Sequence, residues 1–380
     1  MATMTLPFGT ASVYERTVLE LFHEAGINVN GTEVHDIQVH HPGFYRRVLA
    51  QGSLGLGESY MDGWWDCPRL DIFFTRLLRV KLEQRVTNRI GIMLAALQAR
   101  LLNFQLPGLA RRNVAQHYNL GNDLFISMLD KRLTYTCGYW KNATTLDEAQ
   151  DAKLDLTCRK LHMKEGMKVL DIGCGWGSFA KYATEKFAVE VTGITLSDEQ
   201  LQLGRELCAG LPVKLKLLDY RSVEGKFDRI VSLGMFEHVG LKNYASYFDM
   251  VHRCLKDNGL FLLHTIGSNQ GSVTTDPWLD KYIFPHTLTP GLDQVIKGVR
   301  GRLLLEDLHN FGADYDKTLM AWNQNFTLHF GDLRHHYSER FTRMWQYYLL
   351  CCAGIFRARK QQLWQMVFSK GISGGYVSVR

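Results

Sequence analysis

From residue 168 to residue 266, short apolar runs alternate with stretches of helical period. Residues 168–172, 190–194, 213–218, 228–234 and 260–266 are β-branched, Leu-rich runs of strand length. Residues 178–187, 198–208 and 244–255 carry the 3.6-residue period between them, and 146–162 predicts a helix leading into the first strand. This alternation predicts an α/β domain on a mostly parallel sheet, helices on both faces, with ligands at the carboxyl ends of the strands. An insertion then runs to about residue 297. Residues 302–308 predict a returning strand, 314–329 and 338–368 mainly helix, and 375–380 a strand closing the sheet.

Upstream the pattern differs. Residues 13–26 suit a short helix with Val13, Leu19, Leu21 and Phe22 as apolar contacts. Residues 52–66 combine four glycines with adjacent Trp64 and Trp65, which reads as a packed turn closing a small domain. Val86, Ile90, Met93, Leu94, Leu97 and Leu101 recur at helical spacing, flanked by Arg76, Arg79, Lys81, Arg85 and Arg89. Residues 72–115 hold eight Lys or Arg against the single acid Glu83. Such a helix can turn its stripe inward and its arginines toward an anionic lipid surface. Pro107 and Gly108 mark a linker over 105–113, dividing a domain at 1–104 from one at 114–380. The aromatic density of residues 117–140 suggests a lid or pocket wall rather than a sheet element.

The chain has 380 residues, 46% hydrophobic and 22% charged, with a formal charge of +6, an ordinary globular mixture with room for two domains. The first residues lack the basic start and apolar run of a secretion signal, and no apolar run approaches the ~20 residues of a bilayer span. The eight cysteines show no paired zinc spacing, so reduced thiols, no metal and a cytoplasmic location are the expectation. Diffuse charge without a recognition motif argues against nucleic acid.

Gly173, Gly175 and Gly177 follow the first strand at alternate positions. They are neither the G-x-G-x-x-G dinucleotide fingerprint nor a phosphate loop. A sulfonium cation carrying an adenosine needs carboxylate or dipole partners, a ribose anchor and an adenine slot. Asp171 ends the first strand and Asp219 the third, whereas the second ends in Gly-Ile-Thr-Leu-Ser, residues 193–197, without the usual ribose-gripping acid. Thr195 and Gln200 would have to substitute. This layout resembles the cofactor site of S-adenosylmethionine-dependent methyltransferases. Residues 236–239, Phe-Glu-His-Val, lack the Asn/Asp-Pro-Pro-aromatic of enzymes that methylate base amino groups. Glu237 sits in an apolar setting that raises proton affinity, or else caps the next segment. His264 is either a satisfied core histidine or faces the ligand end of its strand. Cys137 alone reads as a small buried apolar group.

Taken together, Tyr135-Thr-Cys, residues 169–177, 193–197 and 234–240, His264-Thr-Ile-Gly, and Asn-Phe-Gly-Ala-Asp-Tyr ending at Tyr315 resemble the cyclopropane-fatty-acyl-phospholipid synthases over nearly the whole chain. Residues 52–66 are similar to the amino-terminal domain of the longer bacterial members, absent from shorter mycolic-acid relatives. The resemblance implies a Rossmann-like class I methyltransferase domain with a seven-stranded sheet, and a smaller, mainly helical amino-terminal domain. It implies S-adenosylmethionine held by Tyr135, Thr136, Asp171, Gly173, Gly175, Gly177, Thr195, Leu196, Gln200, Asp219, Tyr220 and Leu233. The implied reaction is methylene transfer to the cis double bond of an unsaturated phospholipid, with bicarbonate as base, held by Cys137, Glu237, His264, Tyr315 and the backbone of Ile266. Tyr135, Phe236 and Tyr315 would steady the passing cation. Cys352 matches a cysteine once regarded as a nucleophile, in surroundings that read as a packed helix. The protein would work at the inner face of the membrane as a peripheral enzyme; homodimer formation stays open. The rival readings are a methyltransferase that closes no ring and a lipid-surface protein with a vestigial pocket.

Overall fold

The computed structural model describes residues 12–80, 121–269, 271, 275–333 and 335–380. The basic amphipathic helix predicted over 86–101, the linker over 105–113 and residues 117–120 lie outside the described residues.

The central sheet has seven strands in the order β5-β4-β3-β6-β7-β9-β8. Its parallel part comprises β3 (Lys168–Ile172), β4 (Glu190–Thr195), β5 (Val213–Leu217), β6 (Phe227–Leu233) and β7 (Leu255–Gly267). Strand β3 is buried at four of five positions, as a central strand covered on both faces requires. One apolar layer holds Leu170, Ile172, Ile230, Phe261 and Leu263, the opposite one Val169, Val191, Val231, Leu260 and Leu262. That alternation of faces is the period-2 rule of strands. After the short helix α5 (Asn122–Met128), helix α6 (Leu146–Lys160) starts at a capping box between Thr145 and Glu148 and leads into β3. Helix α7 (Ser178–Phe187) follows β3, α8 (Asp198–Leu207) follows β4, and α9 (Tyr244–Cys254) precedes β7.

The carboxyl-terminal quarter departs from the sequence reading. Strand β8 (Leu304–Asn310), α12 (Ala313–Leu333) and α13 (Glu339–Arg357) agree with it, but the helix predicted to reach 368 stops at Arg357. Arg359 turns the chain at φ 60°, and Gln362–Ser369 becomes strand β9, antiparallel to both β7 and β8. All eight of its residues are buried. A strand covered on both faces loses the polar alternation that separates strand from helix. The sheet therefore ends at β8, joined to β7 through β9, and not at residues 375–380, where no strand forms and Ser378 and Arg380 bond Asp307 of β8.

Residues 12–80 fold as α1 (Val13–Glu24), α2 (Phe44–Gln51), α3 (Ser53–Met61), α4 (Leu70–Arg79) and a small ribbon of β1 (Gln38–Val39) with β2 (Trp65–Asp66). Val13 and Leu19 are exposed, and Val18 with Phe22 makes the inward face of α1. Residues 53–61, expected as a turn, form a helix. Its glycines serve close approach: a Cβ on Gly57 would lie 2.3 Å from the Trp278 ring, and one on Gly55 2.4 Å from the Arg47 carbonyl. Trp278 belongs to α10 (Pro277–Tyr282), which with α11 (Leu292–Val299) fills the insertion after β7. Phe22, Phe44, Trp65 and Phe73 continue into one core with Trp278, Trp345 and Tyr347. Around its rim Glu58 accepts from Arg47, Lys281 and Tyr282 at 2.6 to 2.8 Å.

Candidate active site

The turn after β3 takes left-handed backbone at Gly173, Gly175 and Gly177, with φ of 81°, 54° and 83°. A side chain at Gly175 would meet nothing within 4 Å, so this glycine leaves a cradle open. Gly177 does something else: a Cβ there would lie 2.9 Å from Cys208 Sγ, and it lets α7 pack against α8. The turn forms one side of a cleft of about 1160 Å³, counting its open mouth. Tyr135, Thr136, Asp171, Gly173 and Gly175 line it, as do Thr195, Leu196, Gln200, Asp219, Tyr220 and Leu233. Of the residues predicted to hold the cofactor, Gly177 alone is outside this wall.

The polar groups in the cleft fit an adenosine-bearing cation. Asp171 is buried with Oδ2 lacking a hydrogen-bond partner among the described residues, and burial pushes its carboxyl up to about 7, opposed by the Lys153 charge. Thr195 Oγ1 donates to Gln200 Oε1 at 3.0 Å, a preformed polar pair at the end of β4 where an acid is missing. The Asp219 carboxylate accepts from the Arg221 amide at 2.9 Å and from its guanidinium at 2.8 Å. Its remaining lone pairs face a slot beside Tyr220 and Leu218.

A second cavity of about 850 Å³ adjoins the first, and Tyr135, Thr136, Gly234 and His238 belong to both walls. Its lining is mainly apolar, including Leu279, Phe284, Leu288, Leu319 and Phe356, and it holds Glu237, Ile266, Tyr315 and Cys352. Glu237 lies in a short 3₁₀ turn just after β6. Its Oε1 accepts from the Ile266 amide at 2.6 Å while Oε2 is buried without a partner. Burial pushes this carboxyl up to about 7 against the pull of the Ile266 N–H. His238 is driven down to about 4 by burial, so its imidazole is neutral. Tyr315 stacks on Phe356 with ring centroids 4.5 Å apart.

Cys137 and His264 lie behind that wall. Cys137 packs with Phe311 and Leu363 against Ile266 and Tyr315, and its thiol donates to the Gly138 carbonyl. His264 is buried on the same sheet face as Ile266, two residues on, its Nδ1 3.3 Å from Gln365 Nε2 and its Nε2 without a partner. Cys352 sits in α13 as expected, but opens onto the cavity; burial pushes its thiol up to about 12, far from a thiolate nucleophile. Phe236 is not a cation-facing ring: it is fully buried, stacked on Tyr244 at 4.2 Å in the core below the sheet's end.

Several neighbours escaped the sequence reading. Helix α6 buries a polar stripe of Gln150, Lys153, Thr157 and Lys160. Gln150 Nε2 donates to the Thr136 carbonyl at 2.7 Å and Lys153 Nζ to Thr136 Oγ1 at 2.8 Å, so α6 fixes the wall common to both cavities. Burial lowers Lys153 to about 8. Tyr348 of α13 meets Tyr135 hydroxyl to hydroxyl at 2.7 Å. The signal was present: polar residues at 150, 153, 157 and 160 share one helix face, and that face could have been tested for burial.

Residues 108–366 match the family model for mycolic acid cyclopropane synthetase. The cyclopropane-fatty-acyl-phospholipid synthase of Escherichia coli K12 is 52% identical over 360 residues, covering 95% of this chain and 94% of its own. Among solved structures, the cyclopropane synthase MmaA2 from Mycobacterium tuberculosis superposes with a TM-score of 0.64 at 30% identity, over 68% of this chain and 98% of its own. The mycolic acid cyclopropane synthase CmaA1, complexed with SAH and CTAB, gives 0.63 at 32% identity over 68% and 97%.

Proposed function

Since the chain belongs to the mycolic acid cyclopropane synthetase family, we propose that it transfers a methylene group from S-adenosylmethionine to the cis double bond of an unsaturated phospholipid acyl chain. The observation that carries this reading is the common wall of Tyr135, Thr136, Gly234 and His238 between the cleft that holds Asp171, Thr195, Gln200 and Asp219 and the cavity lined by Leu279, Phe284, Leu288, Leu319 and Phe356. A lipid tail in the second cavity is thereby brought against a ligand of the first, with water excluded.

The cofactor supplies, when bound, an electrophilic methyl carbon on a sulfonium sulfur. Asp171 and the Thr195–Gln200 pair hold and orient it, and Gly175 gives it room. The cofactor would supply its methyl carbon to the alkene's π pair and depart as the neutral thioether, positive charge would pass to the acyl chain, and ring closure would release one methyl proton. The rings of Tyr135 and Tyr315 face that positive charge, worth ~0.5–2 kcal/mol each. The proton needs an acceptor in a dry place, and Glu237 Oε2 is a buried carboxyl oxygen with no competing partner among the described residues. We propose bicarbonate as an alternative acceptor: among the described residues Glu237 Oε2 and His264 Nε2 are buried without partners, Glu237, Ile266 and Tyr315 line the second cavity, and Cys137 packs behind Ile266 and Tyr315. Those residues would hold it, and it would supply a small oriented base.

Residues 1–104 serve as a lipid-docking domain and 114–380 as the catalytic domain, the basic flank beginning at Arg76 and Arg79 meeting anionic headgroups. Among the described residues no helix is long and apolar enough to cross a membrane. We propose peripheral contact with the membrane from the cytoplasmic side, by a monomer or a homodimer. Purified protein, S-adenosylmethionine and vesicles of cis-unsaturated phospholipid should yield acyl chains one CH₂ heavier with high-field ring protons in the NMR spectrum. A methyl-branched product, or unchanged lipid with cofactor bound, overturns the reading.

A further inference from the structure

Behind the second cavity, three buried side chains from three elements form a hydrogen-bonded row. Thr157 of α6, Gln365 of β9 and His264 of β7 are each at most 1% exposed. Strand register sets His264 directly opposite Gln365. The row has a direction. Thr157 Oγ1 donates its only proton to the Lys153 carbonyl at 2.8 Å, so toward Gln365 it can only accept. The group facing it at 3.2 Å must therefore be the amide nitrogen of Gln365, not the oxygen. The same nitrogen has a second proton, and His264 Nδ1 lies 3.3 Å away. Nδ1 is then an acceptor, and the single ring proton resides on Nε2.

We propose that Gln365, held by Thr157, is a positioning residue that fixes His264 in its Nε2–H tautomer and so makes it a hydrogen-bond donor behind the wall of the second cavity. The consequence for chemistry is specific. His264 Nε2 is buried without a partner among the described residues, and its ring lies on the sheet face of Ile266, whose amide binds Glu237. A donor there can hold an anionic or lone-pair-bearing acceptor that reaches that side of Ile266. A bare nitrogen there would repel it. Burial and the nearby Lys153 and Lys160 charges keep the imidazole neutral, which leaves the tautomer as the variable that matters. The inference rests on the function proposed above only for what the donor is used for; the tautomer itself can be read without turnover.

The test is a long-range ¹H–¹⁵N spectrum of the full-length protein with ¹⁵N-histidine, the His264 signals assigned by their loss in His264→Asn. The parent should show protonated Nε2 and bare Nδ1. Gln365→Glu offers Nδ1 an acceptor in place of a donor, and should move the proton to Nδ1. Turnover should then fall roughly a hundredfold or more, as a misplaced imidazole proton does elsewhere, with cofactor affinity unchanged. Thr157→Val frees the amide to rotate and should give mixed tautomers, whereas Thr157→Ser should retain the Nε2–H signature; this pair decides the matter if the buried glutamate prevents folding. Bare Nε2 in the parent, or a tautomer indifferent to all three substitutions, overturns the proposal. Failure to form any cyclopropane in the parent would overturn the proposed reaction and leave the tautomer result standing.

Discussion

Glu237 Oε1 and the Ile266 amide nitrogen are 2.6 Å apart, and that one bond ties the turn after β6 to the end of β7 across the floor of the second cavity. It also leaves a carboxyl group buried with half of its hydrogen-bonding capacity unused. Replacing Glu237 by Gln keeps an oxygen for the Ile266 amide and removes the ionisable group. We expect Glu237→Gln to abolish ring formation while cofactor binding, measured by calorimetry, persists.

The same substitution should stabilise the fold, in a pH-dependent way. The folded Glu237 carboxyl is raised from 4.5 to about 7, so between those values the folded chain binds more protons than the unfolded one. Parent stability therefore falls as pH rises through this window, by up to about 3 kcal/mol, and the loss is constant above it. Thermal unfolding should show Glu237→Gln close to the parent at pH 4.5 and clearly above it at pH 8. An equal offset at both pH values would contradict the burial argument.

Two glycines of the β3 turn should fail in different ways. Gly175→Ala places a methyl in open cleft at a cost of about 1–2 kcal/mol for left-handed backbone. Its main effect should be a loss of affinity for S-adenosylhomocysteine by titration calorimetry. Gly177→Ala adds the same strain and a contact 2.9 Å from Cys208 Sγ, and should lower the unfolding temperature more than Gly175→Ala does.

Cys352 should prove to be wall and not reagent. Its thiol is pushed up to about 12 by burial, so Cys352→Ala should keep turnover within a few-fold of the parent. Cys352→Phe, which fills cavity space, should raise the KM for lipid vesicles with the affinity for cofactor unaltered.

Glu58 carries the contact between α3 and α10. Its carboxyl is held down to about 2: the hydrogen bonds and charges of Lys281, Arg47 and Tyr282 outweigh burial, which alone would raise it. A carboxyl so depressed contributes stability that is present above 4.5 and lost as pH falls toward 2. Glu58→Ala should cost about 1 kcal/mol at pH 7 once solvent screening is allowed for. In urea melts the gap from the parent should narrow as pH drops through that window.

The parallel half of the sheet was legible because each strand is a short apolar run closed by glycine or a polar residue at its ligand end. The cofactor cleft followed from it, since Asp171, Thr195 and Asp219 end neighbouring strands. The missed parts share a cause. Strand β9 and helix α3 are packed on every side, and full burial erases the periodicity from which element type is read. Phe236, expected as a ring that steadies the passing cation, stands next to Glu237, yet the 3₁₀ turn sends adjacent side chains in different directions and Phe236 goes to the core. The polar row of Thr157, Gln365 and His264 joins residues separated by up to 208 positions, and only tertiary structure brings them together.

Strand β9 lies between β7 and β8 although it is the last of the seven to be synthesised. Until residues 362–369 follow them out of the ribosome, β7 and β8 have nothing to zip them together, and each offers a bare edge to whatever chaperone or lipid is near. Assembly of that half of the domain must await the final threading of residues 362–369, late in translation. A message cut short before codon 362 would thus yield a half-closed sheet prone to clumping, whereas losing only the last few codons would spare it.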